Sequence, residues 1–124
     1  MPTHTNNITL QESQSLSVQA TTYSDIIRVD KYDELNLFLD ISAQTGYSGG
    51  DSLAVSVQIV DPDGNYIDLA GAAFTTVTDS SASGANQHIA IVAFGSRIRL
   101  KYVVLVHTAA SYTFTVKGYG KGDF

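Results

Sequence analysis

Glu34-Leu-Asn-Leu-Phe-Leu-Asp-Ile-Ser-Ala43, the turn material Gln44-Thr-Gly-Tyr-Ser-Gly-Gly-Asp51, and Ser52-Leu-Ala-Val-Ser-Val-Gln-Ile-Val60 decide the fold. In the first run Leu35, Leu37, Leu39 and Ile41 fall at every second position, and in the second Leu53, Val55, Val57 and Ile59 do. Side chains alternate faces along an extended chain, so each run lays one apolar row on one side of a strand. Such a row gains nothing until another sheet covers it, and the rest of the chain has to supply that cover.

Working outward, the same alternation recurs. Upstream, Ser15 to Thr21 puts Leu16, Val18 and Ala20 in one row, and Tyr23 to Val29 reads as a short strand. A polar corner, Val29 to Asp33, leads into the central pair, with Tyr32 placed to close the end of a sandwich and its hydroxyl to find a backbone partner. Downstream, Asp61-Pro-Asp-Gly-Asn65 is a turn: proline presets φ and Gly64 supplies a positive φ. Tyr66 to Leu69 returns, Ala70-Gly-Ala-Ala73 marks a bend or a close backbone approach, and Phe74 to Thr78 is another strand. Asp79 to Gln87 is a surface loop, and His88 to Phe94 a strand.

Arg97 to His107 is the longest candidate. Ile98, Leu100, Tyr102, Val104 and Val106 share one face; Arg97, Arg99 and Lys101 share the other, which turns apolar at Val103 and Leu105. That second face reads as half covered, by another segment or by a partner. Tyr112, Phe114 and Val116 alternate next, and the glycine-rich tail Gly118 to Phe124 reads as loose, with Tyr119 and Phe124 able to dock. No stretch keeps the helical spacing of apolar residues. Eight or nine short strands predict an all-β chain, an antiparallel two-sheet β-sandwich of jelly-roll type without substantial helix. Residues 1–13 are polar, with Ile8 and Leu10 as anchors. They read as a tail or as an arm laid on a neighbouring subunit, preceding a single sandwich domain over 14–124.

Composition narrows the function. Charged residues make up 15% of the chain and the net charge is −5, which argues against a nucleic-acid binder. There is no cysteine, hence no disulfide framework, thiolate zinc site or thiol nucleophile. No apolar run approaches the roughly 20 residues of a membrane span. The N-terminus shows no basic or apolar leader, so synthesis in a cytoplasm and release by lysis or on a particle are expected.

The search for chemistry yields little. His4, His88 and His107 sit in no metal-ligand spacing. Asp25, Asp40, Asp51 and Glu34 lie nearest the apolar strands, but no spacing specifies a glycosidase pair. Asp61, Asp63, Asn65 and Asp68 resemble a calcium loop, yet the glycine comes fourth and no glutamate follows, so a plain turn is expected. No metal site, cofactor or catalytic residue is expected.

Three segments together, Tyr32 to Ala43, Leu53 to Gly64 and Phe94 to Val103, resemble small all-β structural proteins of tailed bacteriophages and prophages. The resemblance implies a non-enzymatic virion component, most similar to a capsid decoration (cement) protein. Such a protein self-associates, typically as a homotrimer, and binds the major capsid protein shell. On that reading Ile8 and Leu10 are arm contacts, Arg97, Arg99 and Lys101 a polar rim, and Val103 and Leu105 its apolar continuation. The other reading is a carbohydrate- or receptor-binding module of a phage tail, with a site at Tyr47 and the Asp79–Gln87 loop.

Overall fold

A computed structural model describes residues 4–45, 51–78, 86–92, 94–105 and 111–122. Among them are ten strands and no helix: β1 (His4–Leu16), β2 (Ala20–Tyr23), β3 (Ile27–Arg28), β4 (Glu34–Thr45), β5 (Ser52–Val60), β6 (Tyr66–Ala73), β7 (Val77–Thr78), β8 (Asn86–Ile91), β9 (Arg97–Leu105) and β10 (Ser111–Gly122). They form two antiparallel sheets. One has four strands in the order β1-β10-β4-β8; the other has six, β2-β9-β5-β6 with β3 also on β9 and β7 also on β5.

The two apolar rows do what their spacing requires. Leu35, Leu37, Leu39 and Ile41 are fully buried in one sheet, as are Leu53 and Val57 in the other, with Val55 nearly so. Ile98, Leu100, Tyr102 and Val104 of β9 and Tyr112, Phe114 and Val116 of β10 complete the core. Each such side chain contributes about 1.5–3 kcal/mol by leaving water. Tyr102 of one sheet meets Phe114 of the other edge-on, ring centroids 5.1 Å apart. Its hydroxyl donates to Gln11 Oε1 on β1 at 2.7 Å, a polar clasp between the sheets. Burial holds that phenol above its ordinary pKa, so it stays a donor.

Ten strands stand where eight or nine were expected because two ladder positions are broken. β2 and β3 lie end to end along β9, and β6 and β7 end to end along β5. In the first gap Ser24 holds the ladder: its N–H donates to Leu100 O at 3.0 Å and its Oγ accepts from Leu100 N at 2.8 Å. Counted by ladder position the pairing is nested: β1 with β10, β2/β3 with β9, β4 with β8, β5 with β6/β7.

Three expectations need correcting. The strand expected over Ser15 to Thr21 is split, because residues 17–19 carry the chain from one sheet to the other and leave Val18 exposed at 72%. The tail is a strand as far as Gly122, paired on both sides: Tyr119 lies opposite Asn7 of β1 and Asn36 of β4. Most consequentially, no break falls at residue 13. His4–Leu16 is one edge strand on β10, with Leu10 in the core and Ile8 packed against it. Two apolar residues in a polar segment suffice when they are in step with the pleat.

Turn chemistry fixes the ends. Gly64 takes the positive φ that the turn needs (87°), and the Asp61 carboxylate accepts from the N–H groups of Asp63 (2.9 Å) and Asn65 (2.8 Å). At the corner before β4, the buried Tyr32 accepts a hydrogen bond from Asn6 Nδ2 at 2.6 Å and lies over Gly120, where a Cβ would run into its ring.

Candidate functional site

With the apolar rows buried, the interacting chemistry lies on the two outer faces, where the alternate residues point. On the six-stranded sheet the outward row of β9 is the one singled out in the sequence: Arg97, Arg99, Lys101, Val103, Leu105. Arg99 is clamped between two rings, its guanidinium carbon 3.7 Å from the centroid of Tyr23 on β2 and 3.3 Å from that of Tyr66 on β6. Its Nε donates to Gln58 Oε1 at 2.8 Å, and Gln58 Nε2 donates to Asp68 Oδ1 at 2.8 Å. Lys101 Nζ lies 3.8 Å from Asp68 Oδ2. The relay runs across β2, β9, β5 and β6, and it covers Gln58 to 7% exposure on what is nominally a solvent face.

Arg99 and Lys101 are therefore tied sideways within their own sheet rather than held out as a rim. Arg97 differs: it lies opposite Arg28, whose guanidinium pairs with Asp30 at 3.2 Å. Val103 is half-covered because its neighbours across the ladder, Thr21 and Ala54, are small. Leu105 is 43% exposed.

On the four-stranded sheet the outward row of β4 is Asn36, Phe38, Asp40. Phe38 stacks on His88 of β8 at 4.8 Å and tilts against Tyr119 of β10 at 5.7 Å. His88 Nε2 lies 2.9 Å from Asn36 Oδ1, and Asn36 Nδ2 donates to Glu34 Oε1 at 3.2 Å, which fixes the imidazole against the ring. A groove of about 480 Å³ runs between Phe38 and the β1 edge, past Lys117, Tyr119 and Asn7. A smaller hollow of about 140 Å³ adjoins it, sharing Phe38 and Lys117 and lined also by Asp40 and Thr115. Sequence reading missed this face. The available signal was Phe38, a large aromatic at the wrong parity in a row otherwise polar.

The remaining candidates separate. Ile8 and Leu10 sit on β1, the former bordering the groove and the latter buried. His4 and His88 lie on different strands, and among the described residues no group of three His, Cys, Asp or Glu is placed to hold a metal ion. The Asp61 carboxylate, held below its ordinary pKa first by the Asn65 N–H, is engaged by its own turn. Tyr47, His107, Val106, Phe124 and residues 79–85 lie outside the described residues; Asn86 and Gln87 open β8, where the Gln87 amide clasps the backbone of Thr75 at 2.7 and 2.9 Å.

No protein-family model matches the chain, and no curated protein sequence matches it. Solved structures do share its fold. The SPBc2 prophage-derived protein YomS is 13% identical with a TM-score of 0.62, over 98% of this chain and 96% of that one. VP2 of infectious bursal disease virus, in its subviral particle, is 14% identical with a TM-score of 0.61, over 94% of this chain. Dimeric latent PorU from Porphyromonas gingivalis is 13% identical with a TM-score of 0.53. The chain spans almost all of the prophage-derived protein but 32% of VP2 and 13% of PorU. At these identities the likeness is one of fold.

Proposed function

We propose that this chain is a non-enzymatic structural protein of a virion, made in the host cytoplasm. In this reading it is a capsid decoration protein of tailed-phage type that self-associates as a homotrimer and docks on the major capsid protein shell. One observation carries the reading: the sandwich aligns end to end with a prophage-derived protein and, over 94% of its length, with a viral capsid protein. The nested strand pairing supports placing the sandwich in the jelly-roll class, since two sheets rolled from one long folded-back hairpin pair in that order. The apolar end of the β9 row, Val103 and Leu105, is the contact we assign to a neighbouring subunit.

Two measurements test this. Mass spectrometry of purified particles from cells carrying the gene is expected to find the chain among the structural proteins, and its absence there overturns the virion role. Light scattering is expected to give three times the monomer mass. Leu105→Asp is expected to reduce that to the monomer with the fold intact by circular dichroism; a trimer indifferent to that change removes Leu105 from the interface.

A further inference from the structure

The groove around Phe38 has a composition that the assembly reading does not use. Phe38 is 37% exposed although His88 stacks on it and Tyr119 tilts against it. Its ring is thus held in place while part of its surface stays open to solvent. Lys117 flanks it from β10, opposite it in the ladder, and Asp40 lies two residues on along β4, opposite Thr115. Neither side chain forms an ion pair or a hydrogen bond among the described residues. The two sit diagonally across the β4–β10 ladder rather than directly opposite each other. Here a cation donor and a carboxylate acceptor stay free beside an aromatic surface, and the Asn7 amide adds its NH2 donor group and its carbonyl acceptor to the groove wall.

Three properties of a ligand follow. It has a flat apolar face to lie on Phe38. It carries hydroxyls, which both donate and accept, to meet Lys117 and Asn7 in the groove and Asp40 in the adjoining hollow. It fits a hollow of about 480 Å³, within the roughly 300–1,000 Å³ of small-molecule sites. We infer that the outer face of the four-stranded sheet binds a saccharide, one sugar ring stacked on Phe38 and its hydroxyls read by Asp40, Lys117 and Asn7. A second copy of the chain fits less well, since two flat faces pressed together would leave the groove and the hollow beside Phe38 unfilled. The site differs from Tyr47 and the Asp79–Gln87 loop, and the inference stands whether or not the chain belongs to a capsid.

The test uses saturation-transfer NMR on the full chain with a panel of neutral hexoses, N-acetylhexosamines, uronic acids and their short oligosaccharides at millimolar concentration. At least one class is expected to bind. Phe38→Ala is expected to weaken it about tenfold or more, and Asp40→Asn by a smaller factor. Both side chains are exposed, so both variants keep the fold, checked by circular dichroism. Absence of binding across the panel overturns the site, as does binding indifferent to Phe38→Ala. A change of solution mass in Phe38→Ala, measured in parallel by light scattering, also overturns it and assigns the face to a second copy.

Discussion

The two outer faces of this sandwich are built from the same pattern and finished differently. On the six-stranded sheet the polar heads find each other: Arg99 lies between Tyr23 and Tyr66, Gln58 links it to Asp68, and Lys101 approaches the same carboxylate. On the four-stranded sheet Asp40 and Lys117 flank Phe38 without closing on each other. The first face satisfies its own polar groups, and cross-strand pairs of that kind stabilise the sheet. The second ties Glu34, Asn36 and His88 together but leaves Asp40 and Lys117 unpaired among the described residues. Charge content alone does not separate the two, because both carry cations, carboxylates and aromatic rings. What separates them is whether the polar groups are in register to meet.

The largest effect lies where the second face meets its edge. β1 contributes Asn7 and Ile8 to the groove, and its anchorage rests on Leu10, which is 5% exposed. Leu10→Ala is expected to cost about 2–5 kcal/mol, read from urea unfolding midpoints. A loss under about 1 kcal/mol would mean that β1 is held by its ladder alone, and that the four-stranded face can shed its edge without losing the core.

How much of this contrast could be read beforehand follows from period and parity. The core rows of β4, β5, β9 and β10 were legible because a buried strand face must be apolar at every second residue, and nothing else in the chain imitates that. Residues 1–13 misled because their apolar residues are too few to announce a strand. β1 is specified by the exposed edge of β10, which no local window contains. The Arg99 clamp was half legible. The basic row on β9 stood out, but Tyr23 and Tyr66 lie far from it in sequence, and only the strand order β2-β9-β5-β6 brings them onto it. Phe38 was visible and passed over, because a single aromatic in a polar row is weighed one residue at a time until its cross-strand neighbours are known.

Next in size is the clamp itself. Arg99→Ala removes the cation between the two rings and leaves the Gln58 carbonyl oxygen, largely buried, without its donor. The expected loss is about 1–3 kcal/mol in chemical denaturation, and Arg99→Lys is expected to recover little of it, since an ammonium lacks the planar stack. Phe38→Ala on the other face loses two ring contacts but leaves no buried polar group unpaired, and is expected to cost less than Arg99→Ala. Equal losses at the two positions would erase the distinction between a face that stabilises the sheet and one that is free to bind.

The clasp that joins the sheets gives a pH-dependent effect. Burial raises the Tyr102 phenol above its ordinary value near 10. The folded protein keeps that proton where the unfolded chain releases it, so the contribution is complete below about pH 10 and is lost as pH rises beyond it. The slope is at most about 1.4 kcal/mol per pH unit for one proton. Tyr102→Phe, lower in stability at neutral pH through the orphaned Gln11 acceptor, is expected to show a shallower decline between pH 10 and 11.5. Parallel curves for the two proteins would place the titration elsewhere.

The smallest effect asks whether the satisfied face depends on charge or on geometry. Asp68 does two things there: Oδ1 accepts from Gln58 at 2.8 Å, and Oδ2 faces the Lys101 ammonium at 3.8 Å. Asp68→Asn keeps an oxygen for Gln58 and removes the charge that Lys101 faces. Asp68 is largely exposed, and exposed ion pairs of this length contribute about 0.2–1 kcal/mol at most. The expected change is about 0.5 kcal/mol or less, shrinking further in 1 M salt, with the Arg99 clamp intact. A loss as large as that of Arg99→Ala would mean that Gln58 is positioned by the carboxylate's charge and that the relay fails as a unit. The six-stranded face would then be an electrostatic network, open to disruption by any partner that presents a competing cation.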